Sequence, residues 1–400
     1  MTDDVTKYQR LARIGSAFTP RAPVDRLALL SGRRPQIMEV VSAVGQKGLH
    51  VALYGERGVG KTSLANVLSE IFHNQNLPEY RAVMINCNTE DVFDSIWRNV
   101  FRELHLALED DASPEDVRYH LSRLDPPAII VIDELDRVED DDSLSLLSDT
   151  VKSLSDRAVP STLVLVGVAG SVDELIGEHR SVERALVQVE MPRMSLSELR
   201  EVLERGFGEI GLTARPTALN KITALSEGLP HFTHLLGGFA SERVVADDRN
   251  EVVLADVDAA IDRAVTTHTM RSAYQTATRS TRADNLYPDV LLACALAAKD
   301  ALGFFSAGAV RDPLEIVAKR RLQIPAFARH LKQFLQPERG SVLYRTGEPR
   351  RYFYRFANPL LQPYVILNGL AENRITDEEV AELQGIDFTS ESPLEQRRLF

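Results

Sequence analysis

The sequence predicts an α/β protein: a parallel sheet with helices on both faces, then an all-helical module, then a C-terminal module of helices and one hairpin. Three observations predict it. Short apolar runs rich in β-branched residues (His50–Tyr54, Ala82–Cys87, Ala128–Ile132 and Thr162–Val168) alternate with amphipathic stretches, the pattern of strands buried on both faces. From Ser195 the strand signal stops and helical periodicity takes over. Between Arg311 and Arg355 the local charge reverses sign around a helix pattern and a strand–turn–strand pattern.

A chain of 400 residues is too long for one ordinary core and implies about two or three domains. Its 44% hydrophobic and 26% charged residues are ordinary for a soluble globular protein. No apolar run approaches the roughly 18 residues of a membrane span. The acidic start Met1-Thr2-Asp3-Asp4 leads into no apolar core, so no secretory signal and no membrane partner are expected. Cys87 and Cys294 lie far apart and offer neither a metal cluster nor a disulfide framework. Buried thiols and a cytoplasmic location are the expectation. A net charge of −12 argues against wholesale coating of nucleic acid and leaves room for a local basic module.

In order along the chain, residues 1–30 form an N-terminal extension with a short helix around Tyr8–Ile14, and Pro20 and Pro23 force an extended approach. Residues 31–193 hold the sheet. A helix is expected over Pro35–Val44, then the first strand and its helix, a second strand, an amphipathic helix over Val92–Leu108 and a short helix capped by Ser113 with Pro114 at its first position. The strand ending at Ile132 follows, then a helix over Ser143–Leu154, the strand Thr162–Val168 and a weaker strand near Leu186–Val189. The run Glu139–Asp142 reads as acidic residues at a helix N-terminus, stabilised by its dipole. Residues 194–280 carry helices over Ser195–Phe207, Pro216–Ser226, His231–Val245 and Leu254–Thr278; residues 281–370 form the third module and 371–400 a tail with one short helix.

The stretch with the most specific chemistry is Gly55-Glu56-Arg57-Gly58-Val59-Gly60-Lys61-Thr62-Ser63. It fits G-x-x-x-x-G-K-[ST] between a strand and a helix. Its glycines let successive backbone N–H groups point into one concavity, and the helix that follows adds its own unpaired N–H groups. Lys61 is placed to reach the β- and γ-phosphates of a nucleotide, and the Thr62 hydroxyl to sit on Mg²⁺. Asp133-Glu134 follows the third apolar run, which puts two carboxylates at the mouth of the sheet. Asp133 suits the shell of the metal, and Glu134 the orientation of an attacking water.

The glycine loop, Ile130-Val131-Ile132-Asp133-Glu134-Leu135-Asp136-Arg137 and the two modules that follow together resemble an AAA+ P-loop ATPase, of the branch with the origin-recognition initiators and the signalling STAND ATPases. The resemblance covers about residues 25–370 by order of elements, and only the two nucleotide motifs are sharp. It implies a five-stranded sheet, a helical lid, ATP with Mg²⁺ as cofactors, and a homo-oligomer. It also implies an arginine finger offered to a neighbouring subunit, with Arg184 the better match and Arg180 the alternative. Gly32 and Arg33, in Leu30-Ser31-Gly32-Arg33, resemble the segment that flanks the adenine, and Gly228-Leu229-Pro230 a lid element that sets Pro230 near the base. The chain departs from the pattern twice. The strand Thr162–Val168 ends without a polar residue where relatives place a γ-phosphate sensor, Ser171 being displaced, and His231, with His234 a turn on, stands where a lid arginine often occurs.

Over Arg311–Arg355 eleven Lys and Arg face four Asp and Glu. Pro325–Leu335 patterns as a helix with Phe327, Leu331, Phe334 and Leu335 on one face and Arg329, His330, Lys332 and Gln333 on the other. The runs Val342–Tyr344 and Tyr352–Tyr354 read as a hairpin whose tip, Arg345–Arg351, is basic. The combination looks like a winged helix, which implies double-stranded DNA or an unknown protein as partner. Three readings stand: an ATP-hydrolysing oligomeric switch, a DNA-binding ATPase resembling an initiator or transposition regulator, and an ATP-bound scaffold without turnover.

Overall fold

The computed structural model describes residues 2–20, 22–24, 30–74, 80–107, 112–176, 182–281, 285–300, 302–348, 351–388 and 390–392. The chain forms two compact units, one of residues 22–193 and one that joins residues 1–21 to 194–400. The first helix, α1 (Thr2–Ala17), therefore belongs with the second unit.

Residues 22–193 contain α2 (Arg34–Val44), β1 (His50–Gly55), α3 (Lys61–Asn74), β2 (Arg81–Asn86), α4 (Phe93–Glu103), α5 (Pro114–Leu121), β3 (Ala128–Asp133), α6 (Asp141–Asp156), β4 (Thr162–Val168), α7 (Val172–Ile176) and β5 (Leu186–Glu190). The five strands pair in parallel in the order β2–β3–β4–β1–β5. Parallel strands need crossover helices, which cover both faces, so β3 and the first three residues of β4 and β1 are buried throughout. The helix α4 packs Phe93, Ile96, Trp97 and Phe101 into this core. The acidic run after Val138 behaves as expected: Asp140 caps α6 by accepting from the Ser143 N–H at 3.0 Å, and Asp141 and Asp142 fill its first turn.

In the second unit α8 (Leu196–Glu209), α9 (Pro216–Leu225), α10 (Pro230–Ala246) and α11 (Leu254–Thr267) pack together, with a small parallel pair β6 (Thr213–Ala214) and β7 (Glu251–Val252). Phe18, just past α1, fills a groove between α8 and α10. A Cβ on Gly206 or Gly237 would stand 2.5 or 2.7 Å from its ring, so these helix-interior glycines make the room. The expected single helix over Leu254–Thr278 is broken: α12 (Arg271–Thr278) starts afresh after His268. His268 turns extended there, and its ring stacks on Phe232 at 5.0 Å. Its Nδ1 accepts from the Met270 N–H at 3.0 Å, so its Nε2–H donates to His231 Nε2 at 2.8 Å. The helical period says nothing of such a clasp.

The third set comprises α13 (Tyr287–Leu296), β8 (Phe305–Ser306), α14 (Arg311–Ala318), α15 (Ile324–Gln333), β9 (Leu343–Glu348) and β10 (Arg351–Phe356), followed by α16 (Leu361–Ala371) and α17 (Asp377–Gln384). This helix–strand–helix–helix–strand–strand order, with an antiparallel sheet β8–β10–β9, is that of a winged helix. The hairpin pairs further than expected, from Leu343↔Phe356 to Glu348↔Arg351, because ladder bonds need no apolar side chains; Pro349 and Arg350 lie outside the described residues. His330 is buried against the Tyr287 ring, 4.8 Å away, and does not join Arg329, Lys332 and Gln333 on the exposed face of α15. Among the described residues no helix is long and apolar enough to cross a membrane. Both cysteines are buried free thiols, and burial pushes Cys87 up to about 12.

Buried histidines give each unit an acid-sensitive element. His50 accepts the Leu163 N–H at Nδ1 (3.0 Å), and burial holds it down to about 4; burial does the same to His234, whose Nδ1 accepts from Thr19. A depressed histidine binds its proton only when unfolded, so its contribution is complete above the unfolded value of about 6.5 and is lost as pH falls toward 4. From pH 7 to pH 5 the sheet unit is expected to lose about 2 kcal/mol through His50. Urea unfolding followed by Trp97, the single tryptophan, checks this; His50→Asn should flatten the dependence, and an unchanged slope would remove His50 as its source.

Candidate functional site

The carboxyl ends of β1, β4 and β3 stand side by side, and the site is built on them. β1 delivers Gly55, whose φ is 152° and whose Cβ, if present, would lie 2.4 Å from the Met191 carbonyl oxygen. Gly58 and Gly60 follow at φ 89° and 98°, in the region that favours glycine. The loop thus curls onto the N-terminus of α3. Lys61 Nζ is held over this curve by the carbonyls of Gly55 (2.9 Å) and Glu56 (2.8 Å). Burial holds Lys61 down to about 8, against the raising effect of Asp136 and Asp133. Glu56 is itself fixed by Arg193, whose Nε donates to its carboxylate at 2.7 Å. Ser63 accepts the Val24 N–H at 3.0 Å, and Arg57 adds positive charge beside Lys61.

Asp133 ends β3, only 2% exposed. Its Oδ1 accepts the Glu134 N–H at 2.7 Å, while its Oδ2 is a buried oxygen without a hydrogen-bond partner. Burial raises this carboxyl above its ordinary range, opposed by the neighbouring Thr62 side chain and by Lys61. The expected metal pair, Thr62 and Asp133, is therefore together. A hydroxyl and one unshared carboxylate oxygen fit Mg²⁺, which takes one or two protein oxygens and leaves the rest to phosphate and water. Glu134 turns the chain at φ 56°, a left-handed conformation that costs a non-glycine residue about 1–3 kcal/mol. Its carboxylate accepts from Arg137 Nη1 at 2.8 Å, each side chain 48% exposed.

Two charged residues here escaped the sequence reading. Asp136 Oδ1 accepts the Val168 N–H at 2.7 Å, which brings a carboxylate to the end of β4, the position without a polar residue in its own sequence. Gly167 permits this, since a Cβ there would meet Leu175 and Asp136 at 2.4 and 3.1 Å. Arg193 follows β5 and clamps Glu56. Neither has a local signal; only Asp136 lies within a recognised motif.

Gly32 and Arg33 are both left-handed, at φ 65° and 60°. Arg33 is buried, and its guanidinium donates to the carbonyls of Val59 and Pro192, both at 2.8 Å. It thus ties the glycine loop to the end of β5. Arg184 lies on the 3-10 turn before β5, 77% exposed and paired with Asp156 at 3.2 Å. In a parallel sheet the amino end of β5 is the opposite end from the glycine loop, about 17 Å away along a five-residue strand. Arg180 lies outside the described residues. Pro230 stands at the first turn of α10 in the other unit. His231 and His234 are both held low by burial and bonded to chain groups, as structural histidines are.

The AAA domain family matches residues 45–176, from the turn before β1 through α7. A chloroplast ClpC chaperone of Pisum sativum is 24% identical over 256 residues, 62% of this chain and 26% of its own length. A chloroplast Clp protease ATP-binding subunit of Solanum lycopersicum matches similarly, so the chain spans about a quarter of the length of these curated relatives. The fold is similar to that of the ORC1 protein of Aeropyrum pernix, solved in complex with DNA (TM-score 0.50, 18% identity, 92% of this chain and 98% of that one). It is also similar to Aeropyrum pernix ORC2, solved as ADPNP–ADP complexes (TM-score 0.50, 16% identity, 90% and 98%). Residues 45–176 thus match the AAA domain family, in a chain whose fold is similar to that of these two ORC proteins.

Proposed function

We propose that the chain binds ATP with Mg²⁺ at the glycine loop, hydrolyses it, and uses the cycle to control assembly with copies of itself. One observation carries the reading: Lys61, Thr62, Asp133 and Glu134 converge at one end of the sheet, while Arg184 stands exposed at the other. When bound, Mg²⁺ supplies charge neutralisation at the phosphate oxygens. Lys61 holds the phosphates over the loop, and Thr62 and Asp133 hold the metal. Glu134 receives the proton of the attacking water at its carboxylate. Arg184 cannot reach the loop of its own chain and serves that of a neighbour.

Mixing two inactive variants tests this. Lys61→Ala lacks a working loop and keeps Arg184; Arg184→Ala is the reverse. If the arginine acts between subunits, the mixture recovers turnover that neither variant shows alone. Failure to recover would confine Arg184 to its contact with Asp156.

A second reading, a DNA-binding ATPase that engages duplex DNA through residues 311–355, is favoured by exposed Arg329 and Lys332 on α15. Arg339 is committed elsewhere, to the carbonyls of Ala277 and Arg279 and the face of Tyr287. Turnover raised by duplex at low salt would support this reading over a protein partner.

A further inference from the structure

The three-stranded sheet of the C-terminal module has two different faces. Leu343, Tyr354, Phe356 and Phe305 point inward and are buried. The opposite face carries aromatic side chains into solvent: Tyr344 is 50% exposed and Phe353 46%. The register arranges them in rows. Arg355 pairs with Tyr344 across β10 and β9, and on its other side lies Phe304, next to β8. The Arg355 guanidinium stands 5.0 Å from the Phe304 ring centroid and 5.2 Å from that of Tyr344. The next row is Ser306, Phe353 and Thr346, and beyond it Arg351 faces Glu348.

We propose that this outer face is a stacking platform for single-stranded nucleic acid. Exposed rings on a sheet hold unpaired bases by their faces, and arginine among them adds cation–π contact and phosphate attraction. Tyr344 and Phe353 occupy diagonal positions on adjacent strands, about 7–8 Å apart, a spacing that suits two successive splayed bases. Charge selects the occupant. The chain as a whole is acidic, yet of the three charged residues on the face two are arginines, within a segment where eleven basic residues meet four acidic ones. A polyanion with flat apolar bases complements this; a peptide helix seeking an apolar patch meets Arg351, Arg355 and Glu348 instead. The platform is distinct from the exposed face of α15 and does not depend on duplex binding or on ATP turnover.

Fluorescence anisotropy of the full chain with labelled 20-mer oligo(dT), beside a 20-bp duplex, tests the proposal. The single strand is expected to bind more tightly than the duplex. Tyr344→Ala and Phe353→Ala should each weaken it roughly 5- to 150-fold with the salt slope unchanged, whereas Phe353→Tyr keeps the affinity. Arg355→Glu should lower both the affinity and the slope. Tighter duplex binding, oligo(dT) affinity untouched by the ring deletions, or ring deletions that change only the oligomeric state would each overturn it. Because both rings are solvent-facing, far-ultraviolet circular dichroism of the variants should match that of the parent.

Discussion

Glu134→Gln is expected to lower ATP turnover by about 10²–10⁴-fold, the usual contribution of a positioned general base, and to leave nucleotide affinity nearly unchanged. On the proposed reading turnover and binding separate, because Glu134 stands beside the glycine loop without belonging to it. Lys61 and the loop N–H groups come from β1 and α3, and Glu134 from the turn after β3. Its carboxylate rests on Arg137, but that pair is half-exposed and worth at most about 1 kcal/mol. Little therefore resists its swing toward a bound water. The amide removes the basic oxygen and preserves the shape, so the left-handed turn survives. Steady-state turnover beside nucleotide titration by calorimetry gives both quantities. Equal turnover in the variant and the parent would leave an ATP-bound scaffold as the description of the protein.

Arg33→Ala is expected to destabilise the sheet unit by about 3 kcal/mol and to weaken nucleotide binding with it. The guanidinium satisfies the carbonyls of Val59 and Pro192, 2.8 Å from each. Removal strips two carbonyls of their donor, and each buried unsatisfied group costs about 1–3 kcal/mol. The strain of two successive left-handed residues, Gly32 and Arg33, is then no longer held by that anchor. Arg33→Lys should recover only part of the loss, since both bonds leave Nη2 at the far end of the guanidinium, a position the shorter lysine side chain does not reach without moving the loop. Trp97 fluorescence during urea unfolding reads the stability. Loss of nucleotide affinity with the unfolding midpoint intact would instead place Arg33 at the ligand.

Much of the sheet was legible. The β-branched runs ending at Asp133 and Val168, the glycine spacing from Gly55 to Gly60, the Ser113 cap and the acidic start of α6 depend on neighbours within a few residues. So does the pairing of Asp133 with the loop, once strands alternate with helices and all run parallel. The helix break at His268 and the burial of His330 were not legible, because each is decided by rings from distant elements. Residues 2–17 form a longer helix than their weak periodicity suggests, anchored by Ile14 and Phe18 in the helical unit.

By itself the sequence determined which segments form the sheet and where a glycine loop curls onto a helix N-terminus. Both follow from residue type at short spacing, through backbone conformational freedom and the burial of apolar side chains. The tertiary structure alone decided that Arg33 braces the loop from 26 residues upstream and reaches Pro192, 159 residues on. It also decided that Asp136 supplies the polar group at the end of β4, and that Phe304, Tyr344, Phe353 and Arg355 share one solvent face. These are contacts between residues far apart in the chain or set by strand register, and register moves every side chain to one face or the other.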